Sequence, residues 1–281
     1  MRPQKVGILH PGAMGVSVAQ SARDSGCEVY WASEGRGSST RARAAGLIDA
    51  GRVRGLCEAC PVVISVCPPE FALDVARQVA ACGFRGVFAD VNALTPQHKI
   101  EMGIEMERAG MRFADGGIIG LPSQVRGETT LFLSGPAAAE VAECFGGGAI
   151  AASVMGPETG RASALKILFA AYNKGSIALF ASLYAAARHY GVMEELQGQF
   201  VHRGLSLEKI EAQIVRAAPK AWRWVAEMGE ISAALEAAGL PGEFHLGAAQ
   251  AYERMKSLKD SEPGLEEVLR CLSTAGGLQD S

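Results

Sequence analysis

This chain of 281 residues has no surplus of charge, no disulfide framework and no internal repeat, and each absence closes off a class of function. The formal net charge is −3 and the pI is near 6.0, so there is no broad basic footprint for nucleic acid or for an anionic membrane surface. The seven cysteines are scattered and odd in number, which fits a reducing compartment and not a set of structural bridges. Cys57-x-x-Cys60 is their one close pair. No second ligand pair stands at zinc spacing, so these thiols are expected to be small buried side chains, and no metal is expected. The chain enters a strand pattern almost at once, so no signal peptide is expected and the location is expected to be cytoplasmic. Residues 156–190 are apolar enough to raise a membrane reading, but Lys166, Asn173 and Lys174 interrupt them and no second comparable span exists.

What is present is a chain 48% hydrophobic and 20% charged, enough to build two domains. Lys5-Val6-Gly7-Ile8-Leu9 is a short apolar run. It is followed by His10-Pro11-Gly12-Ala13-Met14-Gly15, a helix pattern, and a second strand at Glu28–Ala32. Strand, glycine loop, helix and strand in that order form the first half of a dinucleotide-binding unit. Gly12 and Gly15 fill the second and third glycine positions of G-x-G-x-x-G, and His10 occupies the first. A tight turn there must tolerate a side chain. His10, Pro11, Gly12, Ala13 and Met14 are therefore candidate cofactor residues, with phosphates resting on the N–H groups that open the helix.

After the second strand the chain runs Ser33-Glu34-Gly35-Arg36-Gly37-Ser38-Ser39-Thr40-Arg41. Guanidinium and hydroxyl donors suit a 2′-phosphate, so Ser33, Arg36 and Thr40 favour NADP(H) over NAD(H), while Glu34 is the acid an NAD site would use. Otherwise the segment is a solvated polar loop. Further strands are expected at 61–67, 86–90, 111–115, 129–135 and 149–154, alternating with helices. That is an α/β, Rossmann-type doubly wound and mostly parallel sheet. Ligands bind beyond its carboxyl strand ends, where the loops at 10–15, 67–70, 90–96 and 115–122 are expected to fall.

Gly156-Pro157-Glu158 is a helix-start signal, and a long apolar helix is expected from Gly156 to Tyr190. Beyond it the pattern is helical throughout, over roughly 192–202, 205–216, 219–238 and 242–258, with a tail from Ser273. The domains are therefore taken as 1–155, nucleotide-binding, and 156–281, all-α, for substrate and dimerisation. So apolar a helix needs a homodimer to cover it.

The order of motifs resembles the β-hydroxyacid dehydrogenase superfamily, which includes 3-hydroxyisobutyrate and 6-phosphogluconate dehydrogenases and has imine reductases as relatives. The opening glycine–x–methionine–glycine loop carries the resemblance, as do Val62 to Pro69, Asp90-Val91-Asn92-Ala93, Asp115 to Gly120, and Gly156-x-x-x-Gly160 ahead of Lys166. The segments around Trp222, Gly239 to Gly242 and Phe244-His245 resemble a little-characterised subgroup with a distinct C-terminal domain.

The resemblance implies hydride transfer between a nicotinamide cofactor and a small carbonyl or alcohol, with Lys166 as general acid/base. A lysine among Leu165, Ile167, Leu168 and Phe169 is expected to have a lowered pKa. It further implies Cys67, Pro68, Pro69 and Asn92 at the cofactor, Asn92 also at the substrate oxygen, and Gly117, Ile118, Ile119 and Lys174 at the substrate. Lys174 has an alternative use in capping an acid in the dimer interface, and His245 is expected to be structural. Ala170 stands where the family has asparagine, and Asn92 and Ile119 stand where it has carboxylate-binding serines. An imine reductase and a non-catalytic NADPH-binding protein are the rival readings.

Overall fold

The structure, a computed structural model, describes residues 4–122 and 125–273. Its contacts divide the chain into two compact units, residues 1–167 and residues 168–281.

The first unit is built on eight strands: β1 (Lys5–Leu9), β2 (Glu28–Trp31), β3 (Ile48–Asp49), β4 (Val62–Ser65), β5 (Val87–Asp90), β6 (Arg112–Ile119), β7 (Thr130–Ser134) and β8 (Ala151–Val154). They lie in the order β3-β2-β1-β4-β5-β6-β7-β8. The pairings from β3 through β6 are parallel, β6 and β7 run antiparallel, and β8 is parallel to β7. The first six strands thus have the order of a dinucleotide-binding sheet. β4 and β5 are buried at every position, as strands covered on both faces must be.

Six helices complete the sheet before the long one: α1 (Ala13–Asp24), α2 (Ser38–Arg43), α3 (Val53–Ala59), α4 (Ala72–Ala81), α5 (Pro96–Arg108) and α6 (Ala138–Ala142). α5 starts where its sequence says it should. Thr95 accepts a hydrogen bond from the His98 amide at 3.3 Å, and proline fills the first helical position.

α7 (Arg161–Tyr190) is a single helix of 30 residues, and the division between the units falls inside it. The class change expected at 155/156 marks the end of the last strand, while the packing changes hands only after Ile167. The expected start at Gly156 is corrected to Arg161. Gly156 and Gly160 have φ of +115° and +104°, outside the right-handed helix, so the helix cannot begin until both are passed.

The second unit adds α8 (Met193–His202), α9 (Leu207–Ala217), α10 (Ala221–Ala237), α11 (Glu243–Arg254) and α12 (Leu265–Ser273). Gly175, a weak point of α7 by propensity, is where α11 approaches. A Cβ there would stand 3.2 Å from both the His245 and the Phe244 rings. His245 Nε2 bonds the Ala171 carbonyl at 3.3 Å, and Tyr252 donates to the Lys174 carbonyl at 2.6 Å. α12 was not anticipated, although Leu265, Val268, Leu269 and Leu272 have helical spacing behind Pro263-Gly264 and two early glutamates. Of the expected tail only Ser273 falls among the described residues, and it ends this helix. No helix among the described residues is long and apolar enough to cross a membrane.

Candidate active site

The glycine loop joins β1 to α1. His10 has φ of +64°, a left-handed conformation at the position where a glycine is usual. Histidine is among the side chains that tolerate it best. Gly15 is obligatory: a Cβ there would lie 2.5 Å from the His10 carbonyl oxygen. Gly12 is different, for nothing lies within 4 Å of the Cβ it lacks. That open space faces an uncapped helix start, since no side chain caps α1 at Gly12. Free N–H groups, a positive dipole end and room for close approach are what a pyrophosphate requires. Met14 packs against the core, and Pro11 is buried. The His10 ring is neutral: burial first, and the Arg36 guanidinium second, push its pKa down to about 4. Its Nδ1 and Arg36 Nε are buried without partners.

Beyond β2, part of the expected polar loop is helix α2. Arg41 braces the turn by donating to the carbonyls of Ser33 at 2.8 Å and Arg36 at 3.2 Å. Glu34 is paired with Arg52 at 3.0 Å on the surface. A carboxylate that sequence reading missed stands here as well. Asp49, at the end of β3, is held below the usual carboxylate range by hydrogen bonds from the Ser33 hydroxyl and the Gly51 amide.

At the ends of β4 and β5 the Asn92 side chain is engaged at both ends. Its Oδ1 accepts from the Cys67 amide at 2.6 Å, and its Nδ2 donates to Asp90 Oδ2 at 2.6 Å and to Ser65 Oγ at 3.2 Å. Asn92 is 4% exposed and acts as a latch between two strand ends. Burial pushes the Cys67 thiol up to about 11. Pro68 and Pro69 are exposed beside it, and Pro69 opens a single 3₁₀ turn.

Beneath this latch lies an ion cluster whose lysine, Lys99, nothing in the sequence singled out. Lys99 Nζ donates to Asp90 Oδ1 and to the Asp90 carbonyl, each at 2.5 Å, and stands 3.6 Å from Asp115 Oδ1. All three side chains are fully buried. Asp115 Oδ2 then accepts from the amides of Gly160 and Ser163 and the hydroxyl of Ser163, each at 3.1 Å, and from the Ser134 hydroxyl at 3.0 Å. Ser134 Oγ in turn accepts from the Ala162 amide at 3.0 Å. The first turn of α7 is thus capped from β6 and β7, not by a residue of its own.

The expected loop at 115–122 is corrected: β6 runs on to Ile119, because its antiparallel partner β7 continues the hydrogen-bond ladder. Gly116 and Gly117 are close-approach positions within that strand. A Cβ at Gly116 would meet Val91 at 2.5 Å, and one at Gly117 would meet the Ala162 carbonyl oxygen at 2.8 Å and Lys166 Cβ at 2.9 Å. Gly117 therefore seats the half-buried Lys166 against the sheet. The Ile118 side chain packs in the hydrophobic core, and Ile119, at the strand end, is half-buried. Lys174 lies in the second unit. It pairs with Glu227 of its own chain and stands 5.1 Å over the Trp224 ring. Burial is the chief reason that Cys57 and Cys60 are both pushed up to about 12, the reverse of a reactive pair.

Comparison with known proteins bears on the fold. A family described as a domain of unknown function, DUF1932, matches residues 187–255. A solved conserved protein of unknown function, reported as structurally similar to 3-hydroxyacid dehydrogenases, is 26% identical with a TM-score of 0.74 and covers 96% of this chain and 100% of its own. This is the 3-hydroxyacid dehydrogenase fold. The DUF1932 match lies within the helical second unit. A 3-hydroxyisobutyrate dehydrogenase from Mycobacterium tuberculosis shares the fold at 15% identity and a TM-score of 0.73, over 97% of this chain and 100% of that one. A reductive aminase from Aspergillus terreus, solved with NADPH, does so at 18% and 0.57, over 95% and 99%. An uncharacterized 28.5 kDa protein of Methanothermus fervidus is 29% identical over 198 residues, 68% of this chain and 74% of that one.

For a chain with the 3-hydroxyacid dehydrogenase fold, the residues missed by sequence reading are Asp49, Lys99, Asp115 as a helix cap, Ser134 and Ser163. The signal for Lys99 was weak: one lysine in an otherwise polar helix segment, three residues after a proline. Only the fold brings it to Asp90 and Asp115.

Proposed function

We propose that the protein is an NADPH-dependent dehydrogenase or reductase acting on a small carbonyl or alcohol, with Lys166 as its proton-transfer group. One observation carries this reading. In the unit that holds the glycine loop, a glycine in β6 and a helix start capped by Asp115 together fix where Lys166 stands. The cofactor residues fit the group. Gly12 leaves space for a pyrophosphate at the uncapped start of α1, with His10, Pro11, Ala13 and Met14 around it. Ser33, Arg36 and Thr40 are assigned to a 2′-phosphate, with Glu34 paired to Arg52 on the surface. Cys67, Pro68 and Pro69 line the ribose side, ordered by Asn92.

The nicotinamide, when bound, supplies or accepts the hydride. The lysine ammonium gives its proton to the carbonyl oxygen as the carbon is reduced, and the neutral amine takes it back from the alcohol in oxidation. Gly117 and Ile119 offer backbone groups at the strand end to the substrate. Asn92 is assigned to holding the Cys67 turn, not to a proton.

The second unit leaves Leu168, Phe169, Tyr172, Leu179, Leu183 and Tyr190 exposed along α7, a stripe that supports the proposal of a homodimer. Light scattering at micromolar concentration tests it, and a monomer overturns it. The function is tested by titrating NADPH against NADH and screening small ketones, aldehydes, hydroxyacids and cyclic imines for NADPH turnover. Binding of neither cofactor overturns the reading, and turnover of imines alone transfers it to the imine reductases. With a substrate in hand, Lys166→Ala is expected to lower kcat by about 10²–10⁴-fold while leaving the NADPH Kd within about threefold.

A further inference from the structure

We infer that Asn92, Asp90, Lys99 and Asp115 form a buried positioning bridge that ties the cofactor-side turn at Cys67 to the first turn of α7, and thereby sets the place of Lys166. The inference rests on the assignment of Lys166 as the proton-transfer group. The path is continuous. It runs from the Cys67 amide to Asn92 at 2.6 Å, from Asn92 to Asp90 at 2.6 Å, and from Asp90 to Lys99 at 2.5 Å. It continues from Lys99 to Asp115 at 3.6 Å and from Asp115 to the Gly160 and Ser163 amides at 3.1 Å.

Burial explains why the last link is firm. Two acidic side chains and one basic side chain are fully buried together. Polar groups in a dry interior must be met, and the N–H groups at the start of the 30-residue α7 meet Asp115. Strand geometry explains why the anchor governs Lys166. Asp115 and Gly117 are two residues apart on β6, so both face α7. Asp115 holds the first turn, and Gly117 receives the next one at Ala162 and Lys166. Asp90, Lys99, Asp115 and Ser163 are thus positioning residues, with no place of their own at the reacting atoms.

A merely structural role predicts lost stability and nothing else, so the test reads Lys166 itself. In folded Asp115→Asn and Ser163→Ala proteins, labelling of Lys166 by an amine-reactive reagent is followed against pH by peptide mass spectrometry, with Lys209 as internal control. The midpoint for Lys166 is expected to move by about half a pH unit or more, with Lys209 unmoved. An unchanged Lys166 profile in both variants overturns the inference. A second arm measures NADPH Kd in a double-mutant cycle. Ser163→Ala is expected to weaken binding by roughly threefold alone, and to add nothing once Asn92→Ala has cut the bridge. Strict additivity overturns the inference, even if Ser163→Ala alone proves mild. Failure of the unaltered protein to bind NADPH would sink the cofactor reading, and the labelling arm would still decide the positioning claim.

Discussion

Gly117 and Lys166 are in direct contact across the sheet surface: a single carbon added to the glycine would lie 2.9 Å from the lysine Cβ. The same carbon would lie 2.8 Å from the Ala162 carbonyl oxygen, so the obstruction on the helix side is backbone and cannot rotate away. Gly117→Ala is therefore expected to lift the start of α7 and to cost about 1–3 kcal/mol in urea denaturation. Turnover is expected to fall while the NADPH Kd changes little. A variant as stable and as active as the parent would show that the close approach is dispensable.

Lys99→Met tests the buried cluster by stability alone. The change keeps much of the side-chain volume but leaves Asp90 and Asp115 without their ammonium. A loss of about 3–5 kcal/mol is expected at neutral pH. A loss below 1 kcal/mol would mean that the carboxylates are satisfied without Lys99.

His10 gives the protein a pH dependence with a definite sign. The folded ring titrates at about 4 and the unfolded one near 6.5, so over that window the unfolded chain binds the extra proton. Stability contributed by the neutral ring is full above pH 6.5 and declines as pH falls toward 4. His10→Gly removes this term and also the left-handed strain at φ +64°. The difference in unfolding free energy between parent and variant is expected to move in favour of the variant on acidification. Parallel pH curves would contradict the assignment.

Arg36→Ala separates the two cofactors. If the guanidinium meets a 2′-phosphate, NADPH Kd rises about tenfold and NADH Kd stays within about threefold. Equal weakening of both would place Arg36 at the pyrophosphate or the adenine, and would remove the argument for NADPH.

Lys174 is expected to act on the second unit's stability and not on the cofactor. Lys174→Met leaves Glu227, whose side chain is 23% exposed, without its partner and removes a cation from the Trp224 face. A loss of about 1–3 kcal/mol with unchanged NADPH affinity is expected. A weaker KM for an anionic substrate with no change in stability would restore Lys174 to the substrate.

Much of the fold is legible in the residues themselves, because the signals are local. Continuous apolar runs mark β4 and β5, Thr95-Pro96 marks the start of α5, and the spacing of Gly12 and Gly15 marks the turn into α1. α3 and α12 are equally local but short, and their signals were passed over. Three other features could not be read from the chain. The strand at Gly116 to Ile119 looked like a loop because two adjacent glycines signal a turn, and only the ladder to β7 holds them extended. The start of α7 looked like Gly156-Pro157, yet two glycines with positive φ delay it. Its cap, Asp115, comes from 45 residues upstream of Gly160. The neighbours of Ile118 and Lys174 are likewise set by the fold: the first packs in the core of the sheet and the second pairs with Glu227.

By itself the sequence determined the architecture and the order of the site-bearing loops, because hydrophobic period and backbone permissiveness act over a few residues. Only the tertiary structure decided how Lys166 is held. Burying Lys99 with two aspartates is favourable solely where a strand end, a second strand end and a helix start converge, and no span of sequence contains all three.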